Sequence, residues 1–158
     1  MLSLLGRFHA ALRAAVGACF TVLLAAVLLQ VVSRLALPNP PVWTEELSRF
    51  CLIFAAALGG GLALRSGELV GVDVVTAALP PPLRRAVDAI GCLAIIGFCA
   101  LLLAPAWEFV DIGSLQSSPA LGWNMFWVHM AMLIAPATLA LAAFERLVGL
   151  FTPQARRG

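Results

Sequence analysis

The segment VWTEELSRFCLIFAAALGGG, residues 42–61, places a cluster of charges directly before a long apolar run. Glu45, Glu46 and Arg49 lie within its first eight residues, and no further charge occurs until Arg65. The uncharged stretch 50–64 has 15 residues. As a helix it would measure about 22 Å, which is short of the ~30 Å hydrocarbon core of a bilayer. We therefore expect a membrane-spanning helix that begins near Thr44 and carries the charges in its first turns.

The composition supports a lipid environment. Of the 158 residues, 62% are hydrophobic and 11% are charged, whereas soluble globular proteins are nearer half apolar and a quarter charged. The net charge of +2 comes from scattered arginines, with no Lys in the chain, and this pattern gives no nucleic-acid-binding patch. We predict an all-α integral membrane protein whose surroundings are the lipid bilayer, with no nucleic acid bound.

Three other uncharged runs are long enough to cross a membrane, at 14–33, 89–107 and 121–144. With their flanks, the predicted spans are about 14–36, 44–65, 86–110 and 121–147, in a single membrane domain covering 1–158. Residues 69–79 are apolar but too short to cross, and they include Asp73. We predict a short interfacial segment there, between spans two and three, which the prolines at 80–82 end.

The first 13 residues favour an amphipathic helix lying on the membrane surface. Leu2, Leu5 and Leu12 share one helical face, and Arg7 and Arg13 lie mostly on the other. On this prediction His9 lies at the surface. A cleaved signal peptide is the alternative, but the apolar run that follows is long for a signal core and no small-x-small cleavage site follows it.

The arginines indicate an orientation. Four spans place both termini on one side, and with that side in the cytoplasm the inner segments hold eight arginines and the outer segments two. The tryptophans then lie at the outer ends of the spans, where an aromatic belt is expected. We predict a multi-pass membrane protein with both termini cytoplasmic.

The charged cluster admits two interpretations. Thr44 is a candidate helix cap, and the acids Glu45 and Glu46 suit the positive end of the helix dipole. Arg49 is within reach of either acid on one face, and Arg34 is a second candidate partner. The cluster is either a cap with a snorkelling arginine or a polar contact with another protein.

A strip of small residues follows on the same span. Ala55, Gly59 and Ala63 are spaced four apart, which lets helices approach closely. The strip could pack on span one or on a helix of a partner.

Groups for catalysis are few. Four cysteines lie singly in apolar runs, no Gly-rich phosphate loop precedes a helix, and the middles of the spans hold no acid. Asp88 and Glu108 bracket span three, and His129 is expected to hydrogen-bond within the helices. We predict no enzyme activity, no cofactor and no metal site.

Three segments together carry a family resemblance: RLALPNPPVWTEELSRF (34–50), LGGGLALRSGELVGVDVVTAALPPPLRR (58–85) and SSPALGWNMFWVHMAMLIAPATLAL (117–141). They resemble the small permease subunit, of the Q type or DctQ-like, of tripartite ATP-independent periplasmic (TRAP) transporters, over about residues 20–150. The chain departs from that pattern at Leu69 and Gly71, where many members carry a His and a basic residue. The matching positions are Trp43, Glu45, Glu46, Arg49, Arg65, Gly67, Asp73, Pro80, Ser118, Pro119, Ala120 and Leu121.

The resemblance implies a partner rather than a catalyst. Its function would be that of a scaffold for a large TRAP permease subunit, which carries the substrate and sodium sites, and of a docking aid for a periplasmic substrate-binding protein that captures an organic acid. Uptake would be symport driven by an ion gradient. The alternatives are a membrane-anchor subunit of a redox complex and a small oligomeric exporter. The candidate interface or structural residues, including one from the small strip, are Trp43, Glu45, Glu46, Arg49, Gly59, Arg65, Gly67, Asp73 and Pro119.

Overall fold

The computed structural model describes residues 2–67 and 80–151, and within these ranges the chain forms five helices and no strand. The predicted all-α class is therefore confirmed. The helices are α1 (Leu2–Ala36), α2 (Trp43–Ser66), α3 (Pro81–Gly113), α4 (Met125–His129) and α5 (Ala131–Phe151).

Four helical stretches are long and apolar enough to cross a membrane, as predicted: Gly6–Ala36, Trp43–Ser66, Pro81–Gly113 and Met125–Phe151. The fourth combines α4 and α5, which are separated by Met130. The predicted interfacial segment 69–79, with Asp73, lies outside the described residues.

The N-terminal segment differs from its prediction, because α1 is one continuous helix of 35 residues, about 52 Å long. No proline occurs before Pro38, so nothing in the sequence breaks the helix near residue 13. Placing His9 at the surface was wrong. It is only 4% exposed, since it lies with Phe8 and Leu12 against α2 and α5.

The membrane-spanning helices form a row rather than a closed bundle. Helix α1 packs along α2, α2 along α5, and α3 along α5, while α1 and α3 do not meet. Two antiparallel hairpins, α1–α2 and α3–α5, are thus joined by a contact between α2 and α5, which run parallel. The central helices are more buried than the outer ones. Of the 18 residues that represent each span, 22% are buried in α2 and in the α4–α5 span, but only 6% in α1 and 11% in α3.

A close approach of backbones holds the two hairpins together. A Cβ atom at Gly61 would lie 2.6 Å from the backbone oxygen of Thr138 and 2.9 Å from its Cβ. Across this contact the Thr138 hydroxyl lies 2.9 Å from the carbonyl oxygen of Ala57, to which it can donate. Only a glycine at position 61 permits this spacing.

The residues of α2 that are buried against α5 are not those of the small strip, of which Gly59 and Ala63 line a groove beside α1. Ala57, Gly61 and Leu64 are buried, whereas a Cβ atom at Gly59 would meet nothing within 4 Å. Because three glycines are consecutive, the sequence does not show which of them makes the close contact. The position of α5 determines that it is Gly61.

We call the contact between α2 and α5 the seam. Near the C-terminal end of α2, the seam continues into an apolar core to which α3 also contributes. Leu64 packs there with Ala142 and Ala143, and partly buried side chains complete the cluster: Ile95, Ile96 and Leu139. Helix α2 then ends at Gly67, which adopts the left-handed conformation (φ 77°) and donates its N–H to the Ala63 carbonyl. Helix α3 begins at Pro81, a residue type that suits a first helical turn.

The contact at Gly61 gives a first prediction. Gly61→Val should lower the midpoint of thermal unfolding in detergent, because the new side chain collides with the α5 backbone and overpacking costs about 1–3 kcal/mol. Gly97→Ala on α3 is the matched control, since a Cβ there meets nothing within 4 Å. We expect it to be neutral or stabilising. Equal midpoints for Gly61→Val and the unchanged chain would contradict the close approach.

Candidate subunit interface and its polar anchors

Polar side chains gather at the two ends of the row. We name these the Trp43 end, formed by residues 34–50 and 107–129, and the Arg65 end, formed by residues 6–13, 65–67, 81–88 and 145–146. Between these ends, the described spans carry no Asp, Glu, Arg or His side chain.

At the Trp43 end, Glu46 anchors the connection between α3 and α4. Its Oε2 accepts hydrogen bonds from the backbone N–H groups of Ala120 (3.1 Å) and Leu121 (2.8 Å). Pro119 has no N–H, so these are the first donors after it. Bonds to a carboxylate are among the stronger hydrogen bonds in proteins. The sequence analysis identified both motifs and left Arg49 within reach of either acid, but it did not pair Glu46 with this loop.

The loop that Glu46 holds is itself tightly hydrogen-bonded. The N–H of Ser118 donates to the carbonyl of Trp123 (2.8 Å), and the Trp123 N–H donates to the Ser118 hydroxyl (3.2 Å). Gly122 turns the chain with a φ of 67° and donates to the Ser118 carbonyl (3.0 Å). The prediction that span four starts at residue 121 was therefore wrong. Its helix begins at Met125, where the Asn124 side chain accepts from the Phe126 N–H (2.8 Å).

The second acid, Glu45, has both of its predicted partners. Arg49 lies 3.1 Å away on the same helix, and Arg34 of α1 lies 3.6 Å away. The contact with Arg34 links spans one and two. All three side chains are at least 47% exposed, so these pairs contribute little to stability.

The predicted cap at Thr44 was wrong. Helix α2 begins one residue earlier, after Val42, whose backbone is already helical (φ −73°, ψ −26°). Thr44 is instead fully buried in the first turn, and its hydroxyl donates to the Pro41 carbonyl (2.9 Å).

Aromatic side chains cover the Trp43 end, as expected for a belt at one membrane interface. Phe50 is buried and stacks with Trp123, with ring centroids 6.4 Å apart. The four tryptophans of the chain all lie at this end and are exposed: Trp43, Trp107, Trp123 and Trp127.

His129 forms a hydrogen bond within the row, as predicted. Its Nδ1 lies 3.1 Å from the carbonyl oxygen of Phe109, and the two rings stack 4.1 Å apart. A side chain at Gly113 would collide with the His129 ring, so this glycine allows α3 and α4 to close on each other.

At the Arg65 end, Glu145 of α5 links three helices. Its Oε2 lies 3.2 Å from Nε of Arg65 on α2, and its Oε1 lies 3.4 Å from Nε2 of His9 on α1. The next residue, Arg146, pairs with Asp88 of α3 at 3.3 Å. Sequence reasoning missed Glu145. The available signal was that it is the only acid after Asp111 and follows an apolar run.

The candidate residues from the sequence thus separate into groups. Trp43, Glu45, Glu46, Arg49 and Pro119 lie at the Trp43 end, whereas Arg65 and Gly67 lie at the Arg65 end. Gly59 lines a groove between α1 and α2. Asp73 lies outside the described residues. Among the described residues, no group of His, Cys, Asp and Glu could hold a metal ion.

Comparison with known proteins places this arrangement in a family. Residues 23–152 match the family model described as the DctQ component of tripartite ATP-independent periplasmic transporters. A putative TRAP transporter small permease protein of Haemophilus influenzae is 27% identical over 122 residues, which cover 77% of this chain and 76% of that protein.

Two further relatives match over shorter stretches. The C4-dicarboxylate TRAP transporter small permease protein DctQ of Pseudomonas aeruginosa is 28% identical over 76 residues, covering 48% of this chain and 36% of that protein. The sialic acid TRAP transporter permease protein SiaT of Haemophilus influenzae is 29% identical over 69 residues, covering 44% of this chain. The match spans only 11% of SiaT.

The family match covers most of the chain, and the relative of similar coverage carries the name of a small permease protein. The four apolar helices agree with a multi-pass protein of the inner membrane. The chain belongs to the DctQ family, a component of TRAP transporters and not an enzyme.

Proposed function

We propose that this chain is the small membrane subunit of a TRAP transporter that takes up organic acids with an ion gradient. In this role it is a scaffold for the large permease subunit and helps to dock the periplasmic binding protein. One observation carries the proposal: the charged side chains of the described residues lie at the two ends of an open row of helices, and its middle has none.

The apolar middle argues for transport by another chain. Ionisable groups inside a membrane are costly and mark ion or substrate pathways. Here the uncharged runs of 15 to 24 residues place such groups near the interfaces. The two histidines are also far apart. His9 pairs with Glu145, which follows His129 by 16 residues or about 24 Å of helix, so they cannot bind one haem iron together.

The open row supports a scaffold role. Both faces of the row are apolar and exposed, and α1 packs along α2 and meets α5 near its own start. Leu28, Val32 and Leu35 on α1 are 59% to 86% exposed. Helix association in lipid depends on close packing, and a row offers more surface for a second protein than a closed bundle of the same helices.

The relatives support the identity of that second protein. The stretch that matches SiaT is about a tenth of that permease, so a related sequence occurs within one much longer chain. Covalent linkage keeps two modules at a high effective concentration. A separate small chain must bind the large subunit through its own surface.

The orientation follows from the arginines, which favour the Arg65 end in the cytoplasm. The Trp43 end then faces the periplasm, the only side that a soluble binding protein can reach. The surface there consists of the loop that Glu46 holds in place and of the exposed side chains of Trp43 and Trp123.

Affinity purification of the tagged full-length chain from its native membrane tests the scaffold role. We expect a large multi-span protein to co-purify, and we expect the chain alone in liposomes to give no uptake of organic acid. Ion-driven uptake by the pure chain would overturn the proposal.

Substitution of Glu46 tests the anchored loop. Glu46→Ala removes the acceptor of two backbone N–H groups, one exposed and one part-buried, at a cost of about 0.5–1.5 kcal/mol for each hydrogen bond. We expect lower recovery of the large subunit and lower uptake, and partial rescue by Glu46→Gln, which keeps an acceptor oxygen. Arg49→Ala is the control, because its side chain is 66% exposed and, among the described residues, pairs only with Glu45. Equal losses in the Glu46 and Arg49 variants would count against the loop.

Cysteine labelling tests the orientation. The four native cysteines lie in the spans, so they provide a low background. A membrane-impermeant maleimide should label Gln116→Cys in spheroplasts and Arg84→Cys only after permeabilisation. The reverse pattern would place the termini outside.

A further inference from the structure

A groove of about 620 Å³ lies between α1 and α2 at the Arg65 end. Two glycines form part of its wall, Gly6 and Gly59, and a Cβ atom at either position would meet nothing within 4 Å. Basic side chains line it as well: His9, Arg13 and Arg65.

The depth of the groove in the membrane follows from helix geometry. The pair of Arg34 and Glu45 joins α1 and α2 at the Trp43 end. Arg13 precedes Arg34 by 21 residues, about 32 Å of helix, and Arg65 follows Glu45 by 20 residues, about 30 Å. The two basic residues are therefore level with each other and lie about one hydrocarbon thickness from that pair. This depth is that of the lipid headgroups.

The groove carries surplus positive charge. Glu145 is the acid at this site, and it already faces both Arg65 and His9. Its contact with Arg65 uses Nε of the guanidinium, and a guanidinium has four further N–H donors. The side chain of Arg13 makes no ion pair or hydrogen bond with any residue in the described ranges. The fork of an arginine matches the oxygens of a phosphate group.

We propose that this groove binds the phosphodiester headgroup of an anionic phospholipid in the leaflet at the Arg65 end. Arg13 and the remaining donors of Arg65 bind the phosphate oxygens, and apolar groove residues such as Val16 and Leu62 contact the glycerol and the first acyl carbons. Basic pockets between membrane-spanning helices are known to suit acidic lipid headgroups. The apolar wall at headgroup depth favours a lipid over free phosphate. This site is within one chain and does not depend on the proposed scaffold role.

Thermal unfolding of the full-length chain in a neutral detergent tests the site. The probes are dioctanoyl phosphatidylglycerol, dioctanoyl phosphatidylcholine and inorganic phosphate, each added in a titration. We expect phosphatidylglycerol to raise the unfolding midpoint at concentrations where the other two do not. Equal stabilisation by phosphatidylcholine would overturn an anionic site, and equal stabilisation by inorganic phosphate would overturn a lipid site.

Variants separate the groove from general surface charge. Arg13→Gln should weaken the apparent affinity for phosphatidylglycerol about tenfold or more, without lowering the midpoint in the absence of lipid. Arg13→Lys should lie between. Gly59→Leu should reduce binding by filling the groove. Arg7→Gln removes the same charge from the same helix outside the groove and should bind as the unchanged chain does. Similar losses in Arg7→Gln and Arg13→Gln would overturn the proposal.

Discussion

The contact between α2 and α5 joins two helical hairpins, and the rest of the row depends on it. In lipid the hydrophobic effect does not drive helices together, so close packing and hydrogen bonds must hold the seam. The missing side chain of Gly61 brings the backbones together in the middle. At one end of the seam, Glu46 of α2 accepts hydrogen bonds from the loop after α3. At the other end, Arg65 of α2 pairs with Glu145 of α5.

A row held along one seam has consequences for function. Its central helices are held together at Glu46, at Gly61 and at Glu145, whereas α1 packs mainly on α2 and α3 mainly on α5. Such a row is firm along its middle and exposes broad apolar faces to lipid or to another protein. The exposed faces and the absence of charges from the described middles of the spans support the scaffold role that we propose.

The sequence was sufficient to predict what depends on one segment at a time. Long apolar runs predicted the four spans, and the charges between them predicted polar ends. Contacts between segments were harder. Glu45 and Glu46 point about 100° apart around a helix of 3.6 residues per turn. Which of them meets Arg49 and which meets the loop depends on where the loop lies, and periodicity carries no such information.

The open choice at the small strip and the error at His9 share that cause. Gly59 and Gly61 are equally good small residues, and only the position of α5 selects Gly61 as the contact. His9 looked like a surface residue because its neighbours are amphipathic, but the order of helices in the row brings it to Glu145. A sequence read alone does not give the lateral order of helices.

Different interactions hold the two ends of the row together, and this difference affects which kind of molecule each end can bind. At the Trp43 end, backbone donors satisfy one oxygen of Glu46 and order a loop, while aromatic rings cover the surroundings. That combination yields a shaped surface suited to another protein. At the Arg65 end, side-chain pairs leave Arg13 uncompensated in a groove lined partly by glycine. Surplus charge beside open space suits a phosphate headgroup, so we infer a protein contact at one end and lipid recognition at the other.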